Sequence, residues 1–355
     1  MKEIRAALVG LGRIGSLLED DPLREKPCTH TGAITANADC ALTAGCDIDE
    51  ERRRLYSEKW QVPVYADAAE MISIHQPQIL AVATHPDSHY HYCRLAACAG
   101  VPLVICEKPL ADNIYHARKI TRLAEKGLVI ITNHERRYSM DYILAKDILK
   151  ASVTNAGEAR LGRLLSVRAC LYMGRTTRLT DALWHDGTHL VDAIMYLTGM
   201  VIIHKRSWGA KLSSRAGTVW LEAELGKKKF SPAVRRGIKI DSGQDNNAFA
   251  PVPVLIEIGA GRDHLVFEIE FSCEKGRVRI GNGVFEIWES GPSPYAEKFR
   301  SLKRSSETFE GPTGYFANML ADAVACLREQ GRLPRSSAAD GLQVIEYLNS
   351  VNVWR

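Results

Sequence analysis

Several things are missing from this chain of 355 residues. No apolar run approaches the ~20 residues that span a bilayer, and no segment is repeated or of low complexity. Charge of one sign is missing too. The 46 Lys and Arg stand against 42 Asp and Glu, a net +4, too balanced for a nucleic-acid binder but compatible with an anionic small molecule held by a few local arginines. Nine cysteines are scattered without a single CxxC pair, which reads as reduced, buried thiols acting as small hydrophobes. The opening "MKEIRAALVG" enters a core strand at once and has no signal-peptide layout, so a cytoplasmic protein is expected. What is present is ordinary globular composition, 46% apolar and 25% charged, at a length that suggests two domains. The densest basic run, "GKKKFSPAVRRGIK" (226–239), contains Pro and Gly and reads as a solvated loop.

Two rhythms divide the chain. Residues 4–10, 41–47, 79–84, 102–108 and 128–133 are continuous β-branched runs, as in parallel strands buried on both faces. Helical patterns at 49–60 and 88–100 alternate with them, which indicates a doubly wound α/β domain of Rossmann type over residues 1–134. Beyond that, 163–173, 218–225, 252–260, 264–272 and 276–290 alternate apolar with polar residues. That pattern predicts an α+β domain over 135–355 with a mostly antiparallel, open sheet. Helices at 315–327 and 339–351 are expected to pack on that sheet, with Ser337 and Asp340 capping the last one.

"ALVGLGRIG" places Gly10, Gly12 and Gly15 in GxGxxG spacing directly after the first strand. The first glycine permits the tight turn, the second lets backbone approach a pyrophosphate, and the third lets the next helix pack closely with its N-terminus facing the anion. Asp47 ends the second strand, where an acid binds the ribose hydroxyls. It lies 32 residues after Gly15 rather than the usual ~20. The charged, proline-containing stretch 17–28 accounts for the excess as an insertion. An acid here repels a 2′-phosphate, so NAD is expected rather than NADP. Arg13, Ile14 and Ile48 complete the expected contacts around the loop and the acid.

"VICEKPLADN" (104–113) then carries a resemblance. With the glycine loop before it, with "THPDSHYHYCRLAACAG" (84–100), "GTHLVDAIMYLTG" (187–199) and the pair "YFANMLADAV" and "GRLPRSSAADGLQVIE" near the end, the chain resembles the Gfo/Idh/MocA family of NAD(P)-dependent sugar oxidoreductases. The resemblance implies a Rossmann domain followed by an α+β domain whose open sheet builds homo-dimers or homo-tetramers. It implies that Lys108 stands at a strand end over the nicotinamide and near a sugar hydroxyl, followed by a cis Lys–Pro peptide. Thr84, His85, His89 and Glu107 are expected along the cofactor, with a helix-capping role as the rival for His89.

"LWHDGTHLVDAIMYLTG" (183–199) puts His185, His189 and Asp192 on one face if helical. The family pattern has D-x-G-x-H here, so His185 occupies the aspartate position and Asp186 sits one residue later. His189 still matches and is expected to act as general base, an imidazole whose ordinary pKa lies near the working pH. Lys108 would polarise the oxygen and share the proton, and His185 would orient the substrate. Asp192 would hold His189 in one tautomer or be a buried helix acid. Zinc is disfavoured: HxxxH is metal-ligand spacing, but the Glu of HExxH is absent and Gly187 suits a rigid ligand helix poorly.

The substrate is read from its surroundings. Arg175 and Arg178 precede the histidines, Arg136 and Arg137 follow the last parallel strand, and arginine forks suit phosphate oxygens. Asn133, Tyr172 and Asp186 join them as expected substrate contacts. The combination of "CTHTGAI", "AGCDID" and the histidine helix looks similar to UDP-N-acetylglucosamine 3-dehydrogenases. The resemblance thus implies oxidation at C3 of a nucleotide sugar, on a route to amino sugars of lipid A. The alternatives are a dehydrogenase of a free or phosphorylated sugar or inositol, an NAD-dependent glycoside-cleaving enzyme that oxidises C3 transiently, and a catalytically silent NAD-binding regulator.

Overall fold

A computed structural model describes residues 3–154, 159–226 and 251–351; the expected basic loop from 227 onward lies outside them. The chain forms two units, residues 1–140 with 311–346 and residues 141–310 with 347–355. Among the described residues no helix is long and apolar enough to cross a membrane.

In the first unit β1 (Ile4–Val9), β2 (Cys40–Cys46), β3 (Val64–Tyr65), β4 (Ile79–Val82), β5 (Leu103–Cys106) and β6 (Val129–Thr132) make one parallel sheet, ordered β3-β2-β1-β4-β5-β6. The β-branched runs become strands because both faces are covered. Ala7, Val104 and Cys106 bury in one core, and Ala6, Leu103 and Ile105 in the other, with the period of two that a strand imposes. Helices α1 (His30–Ala36), α2 (Glu50–Trp60), α3 (Ala68–His75), α4 (His89–Cys98) and α5 (Ile114–Glu125) connect the strands. The chain reverses its winding between β1 and β4, and ligands of such sheets bind at the strands' carboxyl ends beside this point.

Stretch 17–28 does interrupt the helix after the glycine loop. A 3-10 turn spans Leu17–Asp20, and α1 starts only at His30, capped by Thr29, whose hydroxyl accepts the Gly32 N–H at 3.0 Å. The insertion is fastened at both ends. The Glu19 carboxylate accepts the Thr29 hydroxyl at 2.6 Å and the Cys28 N–H at 3.1 Å. The Glu25 carboxylate accepts the N–H groups of Thr313 and Gly314 at 2.8 and 2.7 Å.

The second unit is an eight-stranded sheet of β7 (Leu164–Gly174), β8 (Val201–Ser213), β9 (Ala216–Gly226), β10 (Val252–Arg262), β11 (Val266–Cys273), β12 (Gly276–Gly281), β13 (Val284–Pro292) and β14 (Arg300–Arg304). Its order is β14-β13-β12-β11-β7-β10-β9-β8, antiparallel except for β7 beside β10. Residues 276–290, expected as one strand, split into a hairpin at Asn282-Gly283, where Gly283 takes φ +72°. An Asn-Gly pair is the turn that such hairpins favour. Strands β3, β8 and β14 were not foreseen: β8 and β14 are largely exposed and β3 has two residues, so none shows a clear apolar alternation. Helix α6 (Met140–Thr154) leads into this unit, and α7 (Leu179–Asp181), a π-helical turn at Ala182–Asp186 and α8 (Gly187–Thr198) lie against one face of the sheet.

The C-terminal helices depart from expectation. Helix α9 (Tyr315–Arg328) does not pack on the antiparallel sheet. Phe316, Met319, Leu320 and Ala323 bury beside Ala33, Ile34, Leu103 and Ile105 of the first unit. The insertion leaves α1 only seven residues long, too short to cover that face alone, and the apolar stripe of α9 completes it. Helix α10 (Ala338–Ser350) buries Ala338 and Ile345 in the other core of the first unit. Its cap is the expected one, with Ser337 and Asp340 bonded reciprocally. The domain boundary therefore falls at 140 rather than 134, and 311–346 returns to the first unit.

Candidate functional site

The glycine loop is built by close approach. A Cβ on Gly10, which has φ +93°, would lie 2.6 Å from the Ala83 carbonyl at the end of β4. One on Gly15 would collide with the Gly10 carbonyl oxygen. Gly12 differs: the nearest atom to its Cβ would be a guanidinium nitrogen of Arg52, 3.8 Å away, so this position opens outward. Two glycines serve the fold and one leaves room for a ligand, which fits a pyrophosphate over the loop. Asp47 stands beside it. Its Oδ2 accepts the Leu11 N–H at 2.8 Å and its Oδ1 accepts the Asp49 N–H at 3.0 Å. Arg52 lies 3.7 Å from the same carboxylate. Arg13 is exposed, Ile14 and Thr84 are half-buried, and Ile48 is 85% exposed beside the acid, an apolar surface that suits an adenine ring. The residues present therefore fit a dinucleotide.

Lys108 follows β5 at its carboxyl end, on a turn whose Lys108–Pro109 peptide is cis as expected. Glu107 does not face outward as a cofactor contact. Its buried carboxylate meets His30 Nε2 at 2.7 Å, accepts the Asn133 side-chain N–H at 2.6 Å, and accepts the Lys108 backbone N–H at 3.2 Å. Burial works to raise its pKa, and the bond and charge of His30, the Asn133 bond and the Lys108 charge outweigh it, leaving it below the ordinary carboxylate value. Asn133, expected on the substrate, is equally buried and spends its amide on Glu107.

His89 is corrected too. It is fully buried, its Nδ1 3.1 Å from the Pro109 carbonyl oxygen and its Nε2 3.1 Å from that of Thr84. It ties the end of β4 to the turn after Lys108, and burial lowers its pKa. His85 stays exposed near that end. Arg136 is half-buried on a 3-10 turn after β6, and Arg137 is buried against Asp340 at 3.2 Å, a structural ion pair.

In the second unit, Arg175 and Arg178 are exposed on the turn between β7 and α7. His185 and Asp186 lie in the π-helical turn, His185 Nδ1 3.1 Å from Asp186 Oδ1. His185 is exposed, His189 half-buried and Asp192 buried, so the stripe runs from solvent into the core instead of sharing one environment. A π-turn inside an α-helix is a recurrent mark of functional sites. Among the described residues no three His, Cys, Asp or Glu side chains gather as a metal site.

Tyr172 does not join this group. A Cβ on Gly187, where α8 begins, would touch Ile258, so Ile258 faces α8. Its neighbour Gly259 faces the other way, and a Cβ there would touch Tyr172. The tyrosine is thus on the opposite face of the sheet from His189. There burial and the neighbouring Glu257 push its pKa up to about 12, and the Arg262 guanidinium sits 5.1 Å above its ring. Tyr172 was expected among the substrate contacts, just upstream of the histidines along the chain, and the pleat sends it away from them. His30 was the residue that sequence reasoning missed; its signal was its place where the interrupted helix resumes.

Residues 4–134 match the Gfo/Idh/MocA model, described as an oxidoreductase family with an NAD-binding Rossmann fold. A D-apiose dehydrogenase of Paraburkholderia graminis is 37% identical over 95 residues, 26% of this chain and 25% of that one. An inositol 2-dehydrogenase of Acidothermus cellulolyticus is 25% identical over 220 residues, 61% and 60% of the two chains. The chain thus spans between a quarter and three-fifths of the length of these two relatives. A solved UDP-N-acetylglucosamine 3-dehydrogenase from Acidithiobacillus ferrooxidans superposes with a TM-score of 0.71 at 14% identity, over 99% of this chain and 97% of that one, a likeness of fold.

Proposed function

We propose that this chain, whose residues 4–134 belong to the Gfo/Idh/MocA oxidoreductases, is an NAD-dependent dehydrogenase of a polyhydroxylated substrate, a sugar or an inositol. The observation that carries the reading is that Gly12, Asp47 and Lys108 follow the carboxyl ends of β1, β2 and β5 of one parallel sheet, with Gly12 open to a ligand. When bound, the nicotinamide ring supplies the hydride acceptor. The chain's own residues handle the rest. The Gly10–Gly15 loop holds the pyrophosphate, and Asp47 accepts hydrogen bonds from the ribose hydroxyls. Lys108 donates to the substrate oxygen and stabilises charge developing there. His189 takes the hydroxyl proton, and His185 with Asp186 orients the substrate.

The finer reading is a nucleotide sugar, UDP-N-acetylglucosamine oxidised at C3, in a pathway to amino sugars such as those of lipid A. The two exposed arginines beside the π-turn support it, since Arg175 and Arg178 offer forks to phosphate oxygens. A second copy of the chain covers the open face of the eight-stranded sheet in a homo-dimer or homo-tetramer. The exposed Trp208, Leu255 and Leu165 on that sheet favour this.

The test is NADH formation from NAD⁺ with UDP-N-acetylglucosamine, myo-inositol and free or phosphorylated hexoses, with a carbonyl trap. NADH with the nucleotide sugar supports the full reading. NADH only with inositol or a free sugar keeps the chemistry and rejects the substrate. No NADH with any of them, together with glycoside cleavage, moves the assignment to transient oxidation.

A further inference from the structure

The Glu107 node lies behind Lys108, inside the first unit. Its carboxylate meets His30 Nε2 at 2.7 Å and accepts from the Asn133 amide at 2.6 Å and from the Lys108 backbone N–H at 3.2 Å. These contacts hold the carboxyl below its ordinary pKa, so it is an anion to which His30 Nε2 donates. A buried anion is tolerated only while its donors are in place. Asn133 comes from the end of β6, the neighbouring strand, and the Lys108 N–H belongs to the turn itself. His30 alone comes from elsewhere, the first turn of α1, reached through the insertion.

Packing does not explain an imidazole at this position. His30 is 1% exposed, its ring meets Phe316 edge-on at 5.2 Å, and among the described residues its Nδ1 has no hydrogen-bond partner. A buried ring nitrogen without a partner is a cost that an apolar side chain of similar size would avoid. What the imidazole gains is the one bond to Glu107.

We infer that His30 is a positioning residue for Lys108: its Nε2–H holds the Glu107 carboxylate, and that carboxylate seats the turn that carries the lysine. The role of Lys108 in this statement rests on the dehydrogenase reading above. The Lys108 charge helps to hold Glu107 as an anion. Removing the His30 donor leaves the anion short of a partner, shifts Glu107 toward its neutral form and loosens the lysine. The insertion thereby acquires a purpose. Fastened by Glu19 and Glu25, it delivers His30 from the glycine loop to the lysine's seat.

The test reads Lys108 directly and needs no substrate. The full-length protein is labelled with trace acetic anhydride at pH 8, and mass spectrometry compares acetylation of Lys108 with that of the other lysines. His30→Ala is expected to raise the relative rate at Lys108 by about threefold or more, as the partner anion is lost. His30→Gln, whose amide reaches as far as Nε2, is expected to restore it. NAD⁺ affinity, from quenching of protein fluorescence, should stay within about twofold in both variants. If His30→Ala does not fold, Asn133→Ala removes the second donor and takes its place, with the same expected rise. An unchanged Lys108 rate in a folded variant overturns the inference. So does a change that His30→Gln fails to reverse, because that assigns the effect to ring packing against Phe316. Wild-type protein that binds no NAD⁺ sinks the dehydrogenase reading and leaves the labelling result to decide the inference alone.

Discussion

The two units hold the side chains proposed for function in opposite ways. In the first, Gly10, Gly15, Asp47 and Glu107 sit at points of close approach or buried hydrogen bonding, where the backbone itself is committed. In the second, Arg175, Arg178 and His185 stand exposed on a turn and a π-helical segment. A dinucleotide is the same molecule in every such domain, so its site is built into the strand ends. Substrates vary, and their contacts sit on segments that tolerate exchange without disturbing a core. The contrast predicts which substitutions separate binding from folding.

The largest effect is expected at the two residues proposed to handle the proton. Lys108→Ala and His189→Ala should each lower kcat by about 10²–10⁴ while the apparent melting temperature barely moves and NAD⁺ still binds. Steady-state NADH formation with the best substrate, beside a thermal melt, checks this. A kcat unchanged in His189→Ala would remove the second unit from the proton transfer.

Within the glycine loop the contrast sharpens. Gly12→Ala should fold as wild type, since a Cβ there meets nothing closer than 3.8 Å, yet weaken NAD⁺ by about tenfold or more. Gly15→Ala should lower stability as well, because its Cβ needs the space of the Gly10 carbonyl. Equal melting temperatures for the two would contradict the division of labour among the glycines.

Acid stability distinguishes the units more gently. Glu107 in the first and Glu289 in the second are both held below their ordinary pKa of 4.5. For Glu107 the bond and charge of His30 overcome burial; for Glu289 the Arg160 bond leads. A depressed carboxylate contributes stability above about pH 4.5 that is lost as pH falls through its folded value. Substitution by Gln should flatten that acid loss in both cases. In 1 M salt the Glu289 contribution should vanish, since its partner is solvent-exposed and screened at ~3 Å, while the buried Glu107 contribution persists. Melting temperature against pH at low and high salt gives the answer.

How far the sequence could be read follows the same division. The parallel strands, the glycine loop, Asp47 and the Ser337–Asp340 cap were legible because each rests on a local rule: period, spacing or capping. The packing of α9 was not, because its apolar stripe says that a face is buried and not against which sheet. Glu107, Asn133 and His89 were placed along cofactor or substrate, with capping as the rival for His89, when Asn133 bonds Glu107 and His89 bonds the Pro109 carbonyl, all inward. Hydrogen bonds between residues 26 or more apart, such as Asn133 to Glu107, leave no periodic trace. The π-turn at His185 was not foreseen either, and the expected face of His185, His189 and Asp192 passes from solvent into the core.

The smallest expected effect is the most discriminating. Tyr172→Phe removes a hydroxyl that bonds Glu257 on the sheet face opposite α8. If the substrate is handled from the helix side, kcat/KM should stay within about twofold of wild type, because no hydrogen bond to the reacting molecule is lost. The same substitution leaves Glu257 without its tyrosine on the face assigned to a second copy of the chain. The dissociation constant of the oligomer, from sedimentation at graded protein concentration, should therefore rise by a few-fold. A tenfold loss of kcat/KM with unchanged assembly would reverse the assignment. It would put the sugar on the open face, Tyr172 among its contacts, and the histidine segment outside the site.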